Sequence, residues 1–274
     1  MTSQPVRATA PQSPILLREM LGSVAILTLN RPEARNSLSE GLIAELDAAL
    51  REIHDDAKVR AVVIAANGPA FSAGHDMKEL TARRADADRG RAYFAEIMTA
   101  CSAMMQAIVH LPKPVVAAVQ GVATAAGCQL VASCDLAVGS EAATFATPGV
   151  DIGLFCSTPM VALSRNVPRK HAMEMLLTGE PISAATARDI GLINHVVAAG
   201  AERDAAIALA QKVALKSAYT VKIGKAAFYR QAEMSLAGAY RYAAEVMTEN
   251  MMARDAEEGI GAFIEKREPK WQDK

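Results

Sequence analysis

The chain has 274 residues, 51% of them apolar, and a formal charge of −1, which suits one large domain or a domain with an appendage. So even a charge balance gives no electrostatic footprint for nucleic acid or an anionic membrane, and no apolar run approaches the roughly 20 residues that span a bilayer. The four cysteines, Cys101, Cys128, Cys134 and Cys156, form no C-x-x-C pair. They predict free thiols in a reducing compartment, with the cytoplasm as the expected location, and neither zinc nor a disulfide framework.

Residues 1–14 are rich in Ala, Pro, Ser, Thr and Gln and lack an apolar signal core, so they read as a disordered leader. Val24 to Leu29 is a β-prone run that Asn30-Arg-Pro32 ends. Ser37 with Glu40 predicts a capping box, followed by Leu42, Leu46, Ala49 and Ile53 at helical spacing. Val62 to Ala65 is a continuous apolar strand, as in a sheet covered on both faces. Gly68 to Asp76 is a glycine-containing loop that opens into Met77-Lys-Glu-Leu80. The charged patch Arg83 to Arg91 reads as a solvated, mobile segment, and Tyr93 to Val109 as an amphipathic helix.

The stretch around which the rest is arranged runs from Gly121 to Val138. Pro112 and Pro114 halt the preceding helix, since neither can donate a backbone hydrogen bond. Val115 to Val119 then predicts a buried strand, Gly121 to Ala126 holds nothing larger than Val or Thr, and Cys128 to Ala132 is helical. A strand feeding small residues into a helix start leaves unpaired N–H groups that a negative oxygen can approach. Close packing of two elements would use the same residues, so this stretch by itself leaves both meanings open.

Asp135 to Val138 predicts another strand and Phe145 to Asp151 another extended run. Helices follow over Pro159 to Asn166, Pro168 to Leu177 and Ser183 to Ile190, with Gly179 and Gly191 as stops. From Ala201 onward strands cease. Leu236, Tyr240, Ala244, Met247 and Met251 form one helical stripe and Ile260, Phe263 and Ile264 another, a composition that suits core or subunit contact. The expected division is therefore a leader over 1–14, an α/β core over 15–200 and a helical region over 201–274.

Four stretches combine in register: Leu29-Asn-Arg-Pro-Glu-Ala-Arg-Asn-Ser-Leu38, Phe71-Ser-Ala-Gly-His-Asp-Met-Lys-Glu-Leu80, Gly121 to Val138, and Leu176-Leu-Thr-Gly-Glu-Pro-Ile-Ser183. Together they strongly resemble the crotonase, or enoyl-CoA hydratase/isomerase, superfamily over roughly residues 15–267. Gly127 to Ala137 and Phe145 to Thr158 look like the subgroup called enoyl-CoA hydratase domain-containing protein three. The resemblance implies a spiral of ββα units, a helical C-terminal trimerisation region, and a homotrimer or dimer of trimers. It implies an acyl-CoA thioester as partner, with coenzyme A part of the substrate and no separate cofactor, metal, nucleic acid or membrane span.

By that resemblance, the backbone N–H groups of His75 and Ala126 hold the thioester oxygen as it becomes an enolate. Ala73, Gly74, Asp76, Met77 and Gly127 line the ligand, Ala34 and Arg35 fall where the family touches the nucleotide, and Phe263 and Lys266 match the segment that reaches a neighbouring subunit's CoA. The two glutamates with which family hydratases move protons are missing: Gln129 and Gly149 occupy those positions. A glutamine amide can hold a water but cannot take its proton near neutral pH. Asp151 could replace a glutamate if its segment is extended, and faces away if the chain curls. The expectation is an enoyl-CoA hydratase-like enzyme of weak hydratase activity. Isomerase, thioesterase or decarboxylase chemistry, or acyl-CoA binding without turnover, stands as the alternative.

Overall fold

A computed structural model describes residues 13–274, so all of the expected leader except Ser13 and Pro14 lies outside the described residues. β1 (Leu16–Leu21) pairs antiparallel with β2 (Val24–Leu29). α1 (Glu40–Asp55) follows, and then β3 (Ala61–Ala66) and β4 (Ala70–Ser72). The cap of α1 differs from the expected box: Ser39, not Ser37, accepts from the Leu42 N–H. Ser37 lies two residues too early and donates to the Asp76 carboxylate instead, at 3.2 Å.

α2 (Met77–Ala82) and α3 (Arg91–His110) lead to β5 (Val115–Val119) and β6 (Val122–Thr124). α3 contains no unbroken apolar run of that length, although by overall length and composition it could cross a bilayer, with a mean hydropathy of 1.3. Its Ile97, Cys101, Met104, Met105 and Ile108 are buried in the protein core. After α4 (Ala126–Ser133) come β7 (Leu136–Ser140) and β8 (Thr144–Ala146), then α5 (Pro159–Asn166), α6 (Arg169–Thr178), β9 (Ile182–Ser183), α7 (Ala184–Asp189) and β10 (His195–Val197). The last four elements are helices: α8 (Glu202–Ala214), α9 (Ala218–Ala232), α10 (Leu236–Met251) and α11 (Arg254–Glu265).

The strands form two sheets, one ordered β1-β2-β3-β5-β7-β10 and one ordered β4-β6-β8-β9. The pairs β3–β4, β5–β6 and β7–β8 each give their first strand to the larger sheet and their second to the smaller, so the chain winds as a spiral of ββα units. Glycine makes two of these corners. A side chain at Gly68 would begin 2.5 Å from Pro32 Cβ, and one at Gly121 would begin 2.2 Å from the Pro69 carbonyl oxygen.

The inner strands of the larger sheet, β2, β3, β5 and β7, are buried on both faces, which explains their unbroken apolar sequences. Alternate residues of β3 serve different cores: Val62 and Ile64 face the main one, while Ala61, Val63 and Ala65 face a second. α8 covers that second face with Ala206 and Ala210, both fully buried. Small side chains there let the helix lie close on the sheet.

Candidate active site

In the smaller sheet β4, β6 and β8 run parallel and end together. Open α/β sheets bind ligands at the carboxyl ends of their strands. The residues just past these ends are Ala73-Gly74-His75, Ala125-Ala126 and Thr147. Gly74 has φ +87°, and a side chain on it would begin 2.9 Å from Ala125 Cβ and 3.3 Å from Ala126 N. Only glycine lets the loop after β4 come this near the start of α4. Gly127 is equally constrained, since its side chain would begin 2.2 Å from the Ser72 carbonyl oxygen. The packing meaning of the small-residue stretch is realised, since Gly121 and Gly127 pack against the β4 segment.

Ala125 adopts φ 52°, ψ −119°, near the +60°, −120° (about) of the first central residue in a type II′ turn, a glycine position. Holding a residue with a side chain in so sparse a region costs on the order of 1–3 kcal/mol. This conformation orients the peptide unit that joins Ala125 to Ala126. α4 has no side-chain cap, and its first intrahelical-type bond runs from Gln129 N–H to the Ala125 carbonyl at 3.0 Å. Neither Ala126 N–H nor His75 N–H has a backbone partner among the described residues. Two unclaimed donors thus flank Gly74.

Unpartnered side-chain atoms gather at the same strand ends. Both ring nitrogens of His75, Thr124 Oγ1, Gln129 Oε1 and Thr147 Oγ1 are buried without a hydrogen-bond partner among the described residues. Burial pushes the His75 imidazole below its ordinary pKa, and the nearby Leu38 carbonyl opposes this only in part. Thr147 is fully buried. It stands at the N-terminal cap position of the 3-10 turn Pro148–Ile152 yet does not cap it. The bond from Ala125 N–H to the Ala146 carbonyl, 2.9 Å, holds Thr147 next to the cradle. Neither threonine carried a signal in the sequence beyond its place near a strand end.

Other expected site residues have different surroundings. Both oxygens of Asp76 are taken up within the protein: Oδ2 accepts from Arg31 at 3.1 Å and Ser37 at 3.2 Å, and Oδ1 accepts from Lys78 N–H at 3.1 Å. Burial alone would raise its pKa, and these bonds together outweigh burial, leaving the carboxyl below the ordinary range. Asp76 fastens the loop that carries His75, and Met77 beside it is exposed. Asn36, which the sequence did not single out, does similar work: its amide donates to the Asn67 and Ala70 carbonyls, both at 2.8 Å. Arg35 accepts the Ala73 N–H at its carbonyl, 3.0 Å, and its side chain is exposed, next in sequence to the half-buried Ala34.

The expected extended run over 145–151 is corrected: it breaks after β8 into the 3-10 turn. Gly149 is buried and Asp151 exposed, so the two do not share a face. Both Asp151 oxygens lie 3.1 Å from where a Gly179 side chain would begin. The curl removes the geometric basis for Asp151 as a replacement proton carrier. Cys128 and Cys156 are no substitute, because burial pushes the Cys128 thiol up to about 12 and raises that of Cys156 as well. Phe263 and Lys266 lie on and just after α11, which packs against α10, and both are exposed.

The sequence pattern of the enoyl-CoA hydratase/isomerase family matches residues 19–274. The chain is 46% identical over 251 residues to enoyl-CoA hydratase domain-containing protein 3, mitochondrial, of Homo sapiens, covering 92% of this chain and 81% of that one. A solved structure of enoyl-CoA hydratase from Mycobacterium smegmatis superposes with a TM-score of 0.89 at 50% identity, covering 94% of this chain and 99% of that one. The solved structure of human enoyl coenzyme A hydratase domain-containing protein 3 also gives a TM-score of 0.89, at 45% identity, covering 94% and 100%. The human, rat and frog relatives are all named mitochondrial, which overturns the cytoplasmic expectation. Reduced thiols had suggested that location, but they fit any reducing compartment and never distinguished between two.

Proposed function

The chain belongs to the enoyl-CoA hydratase/isomerase family, and on that premise we propose that it binds an acyl-CoA thioester at the ends of β4, β6 and β8 and polarises it there. The observation that carries this is the pair of unclaimed backbone donors, His75 N–H and Ala126 N–H, on either side of Gly74. A thioester oxygen that accepts both becomes more negative as a proton leaves the neighbouring carbon, and the fixed donors stabilise that change. In other systems one such donor is worth about 2.7–4 kcal/mol of barrier. The exposed Arg35 suits a nucleotide phosphate, and the loop Ala73 to Met77 with Gly127 would line the ligand's path.

Proton transfer is the weak link of this site. Gln129 is neutral, Gly149 has no side chain, Asp151 faces outward and both oxygens of Asp76 are occupied. Each lost acid–base contribution is worth about 10²- to 10⁴-fold. We therefore expect slow hydration of a short enoyl-CoA, and the same shortage favours a second reading, acyl-CoA binding without turnover. Phe263 and Lys266 would meet the ligand only from a neighbouring copy, in an oligomer that covers the exposed Leu236, Tyr240, Met247 and Met251.

Purified protein titrated with acyl-CoA thioesters of graded length, by calorimetry and by turnover, tests this. Saturable binding that Ala126→Pro abolishes is the expected result, since proline at a first helical position removes the N–H while suiting the helix. Failure to bind any thioester would refute the proposal. Binding with brisk hydration of crotonyl-CoA would refute the account of proton transfer alone.

A further inference from the structure

α11 has 12 residues, a length at which a helix in water depends on packing to stay formed. Only its Asp255 and Ala262 are buried, while Ile260, Phe263 and Ile264 are exposed. Ala253, at its N-terminal cap, has no side-chain acceptor to offer the first free N–H groups. The segment after the helix supplies what is missing.

Lys266 ends α11 in the left-handed region, φ 56°, and the chain then runs back along the helix, meeting its residues in reverse order. Glu258 accepts from the Arg267 guanidinium at 2.6 Å and from Lys270 N–H at 2.7 Å. The Trp271 ring lies against Gly259, where a side chain would begin 3.1 Å from it. Asp255, 2% exposed, accepts from Gln272 N–H at 2.7 Å and Asp273 N–H at 2.9 Å. The Lys274 carbonyl in turn accepts Asp255 N–H at 3.1 Å, capping the start of the helix.

The same residues tie this unit to the body. Asp255 also accepts from the Ser217 hydroxyl at 2.5 Å, and Ser217 is the cap of α9. Trp271 Nε1 donates to the Leu215 carbonyl at 2.9 Å. Arg60, just before β3, grips the Asp273 carboxylate at 2.7 and 3.1 Å and donates to the Ala214 and Lys216 carbonyls at 2.8 and 2.6 Å.

We propose that residues 267–274 form a latch, anchored on Asp255 and Arg60, that sets the position of α11. Its bonds are polar, with little apolar burial behind them, so it opens locally while the sheets stay folded. Once open, α11 loses its cap and its tie to α9, and Phe263 and Lys266 are no longer held in place. That last consequence rests on the reading that these two residues meet a neighbouring copy's ligand; the latch does not. Asp255 and Arg60 are positioning residues, acting through α11.

Hydrogen exchange read by mass spectrometry, with iodide quenching of Trp271, the chain's one tryptophan, tests this in the unaltered protein, Asp255→Ala and Arg60→Met. The amides of residues 254–265 should exchange at least about tenfold faster in both variants, as expected for lost bonds to a charged group. Trp271 should quench more readily, and the amides of β5 and β7 should keep their rates. Unchanged protection of α11 overturns the proposal. A rise spread evenly through the sheets also overturns it, since α11 would then belong to one cooperative unit with them. Arg60→Met alters only the receiving side, so it decides should Asp255→Ala fail to fold. Calorimetry with butyryl-CoA gives a second arm, in which both variants should bind about tenfold more weakly. Full-strength binding with α11 released overturns the part given to the latch in presenting Phe263 and Lys266. If the unaltered protein binds no acyl-CoA, the ligand reading fails, and the exchange pattern still decides the latch.

Discussion

Two polar clusters of this chain are built on opposite plans. At the junction with the helical tail, Asp135 Oδ2 accepts from Lys225 Nζ and from Val115 N–H, both at 2.7 Å, and Oδ1 accepts from Tyr229 OH at 2.9 Å. Lys225 Nζ also donates to the Ile108 and Lys113 carbonyls, at 3.0 and 3.1 Å. No functional atom there lacks a partner. Burial lowers the Lys225 pKa, and Asp135 beside it pulls it back up in part. At the strand ends the reverse holds, with four side chains left unpaired among the described residues. A completed cluster fixes α9 to the strands and has nothing left to offer a ligand. An incomplete one leaves polar atoms that a bound molecule could pair.

Breaking the completed cluster should give the largest effect. Lys225→Met strands a mostly buried carboxylate, and removing one partner of a buried pair costs about 3–5 kcal/mol. Urea unfolding should register that loss, while acyl-CoA binding by the protein that remains folded stays near its original strength. A loss below about 1 kcal/mol would show that the junction gains little from its completeness.

The next test changes the incomplete cluster. Gln129→Glu puts one carboxylate back at the cradle, in neutral surroundings that would raise its pKa toward the range useful for proton transfer. Turnover of crotonyl-CoA should rise about 10²-fold, equivalent to about 2.7 kcal/mol of barrier. The second family position cannot be restored so simply. A side chain at Gly149 would begin 3.0 Å from both Cys156 Sγ and the Leu154 carbonyl oxygen, so Gly149→Glu must displace backbone and should yield less folded protein. No gain from Gln129→Glu would mean that proton traffic is not what limits this site.

A smaller effect is expected from Ala125→Gly. Removing the side chain at φ 52° releases on the order of 1–3 kcal/mol of strain, against about 0.4–1 kcal/mol of added chain entropy in the unfolded state. The net should be a gain near 1 kcal/mol in unfolding free energy, accompanied by weaker thioester binding because the Ala126 N–H is less firmly aimed. Unchanged or lower stability would show that the conformation carries no strain.

The contrast between the clusters also marks how far the sequence could be read. The cradle was legible because its cause is local: small residues between a strand and a helix expose N–H groups whatever lies around them. The family motifs then located His75, Ala126, Gln129 and Gly149. β4 was hidden inside the loop Gly68 to Asp76 because a three-residue strand shows no periodicity. The sequence left Asp151 open because the choice between extended and curled backbone depends on Pro148, Gly153 and the packing of Gly149 under Cys156, not on the residues between. Thr147 was invisible for a related reason: an unpaired hydroxyl is a property of its neighbours, and a strand-end threonine is ordinary.

The smallest effect concerns His75, through the pH dependence of stability. The imidazole has an ordinary pKa of about 6.5 in the unfolded chain, and burial lowers it in the folded protein. Between those two values the unfolded chain carries a proton on this ring that the folded protein does not. Stability therefore rises with pH in that window. His75 causes no loss above the unfolded value and a growing loss as pH falls from there toward the folded value. His75→Gln retains a polar side chain and removes the titration. Melting temperatures taken from about pH 7.5 down to about 5.5 should fall further for the unaltered protein than for His75→Gln, since carboxylates common to both cancel in the comparison. Because the donor proposed for the thioester is the backbone N–H, His75→Gln should still bind acyl-CoA. Parallel melting curves would show that the ring stays neutral or charged alike in both states, and would remove His75 from the set of unpaired groups that distinguishes the strand ends from the tail junction.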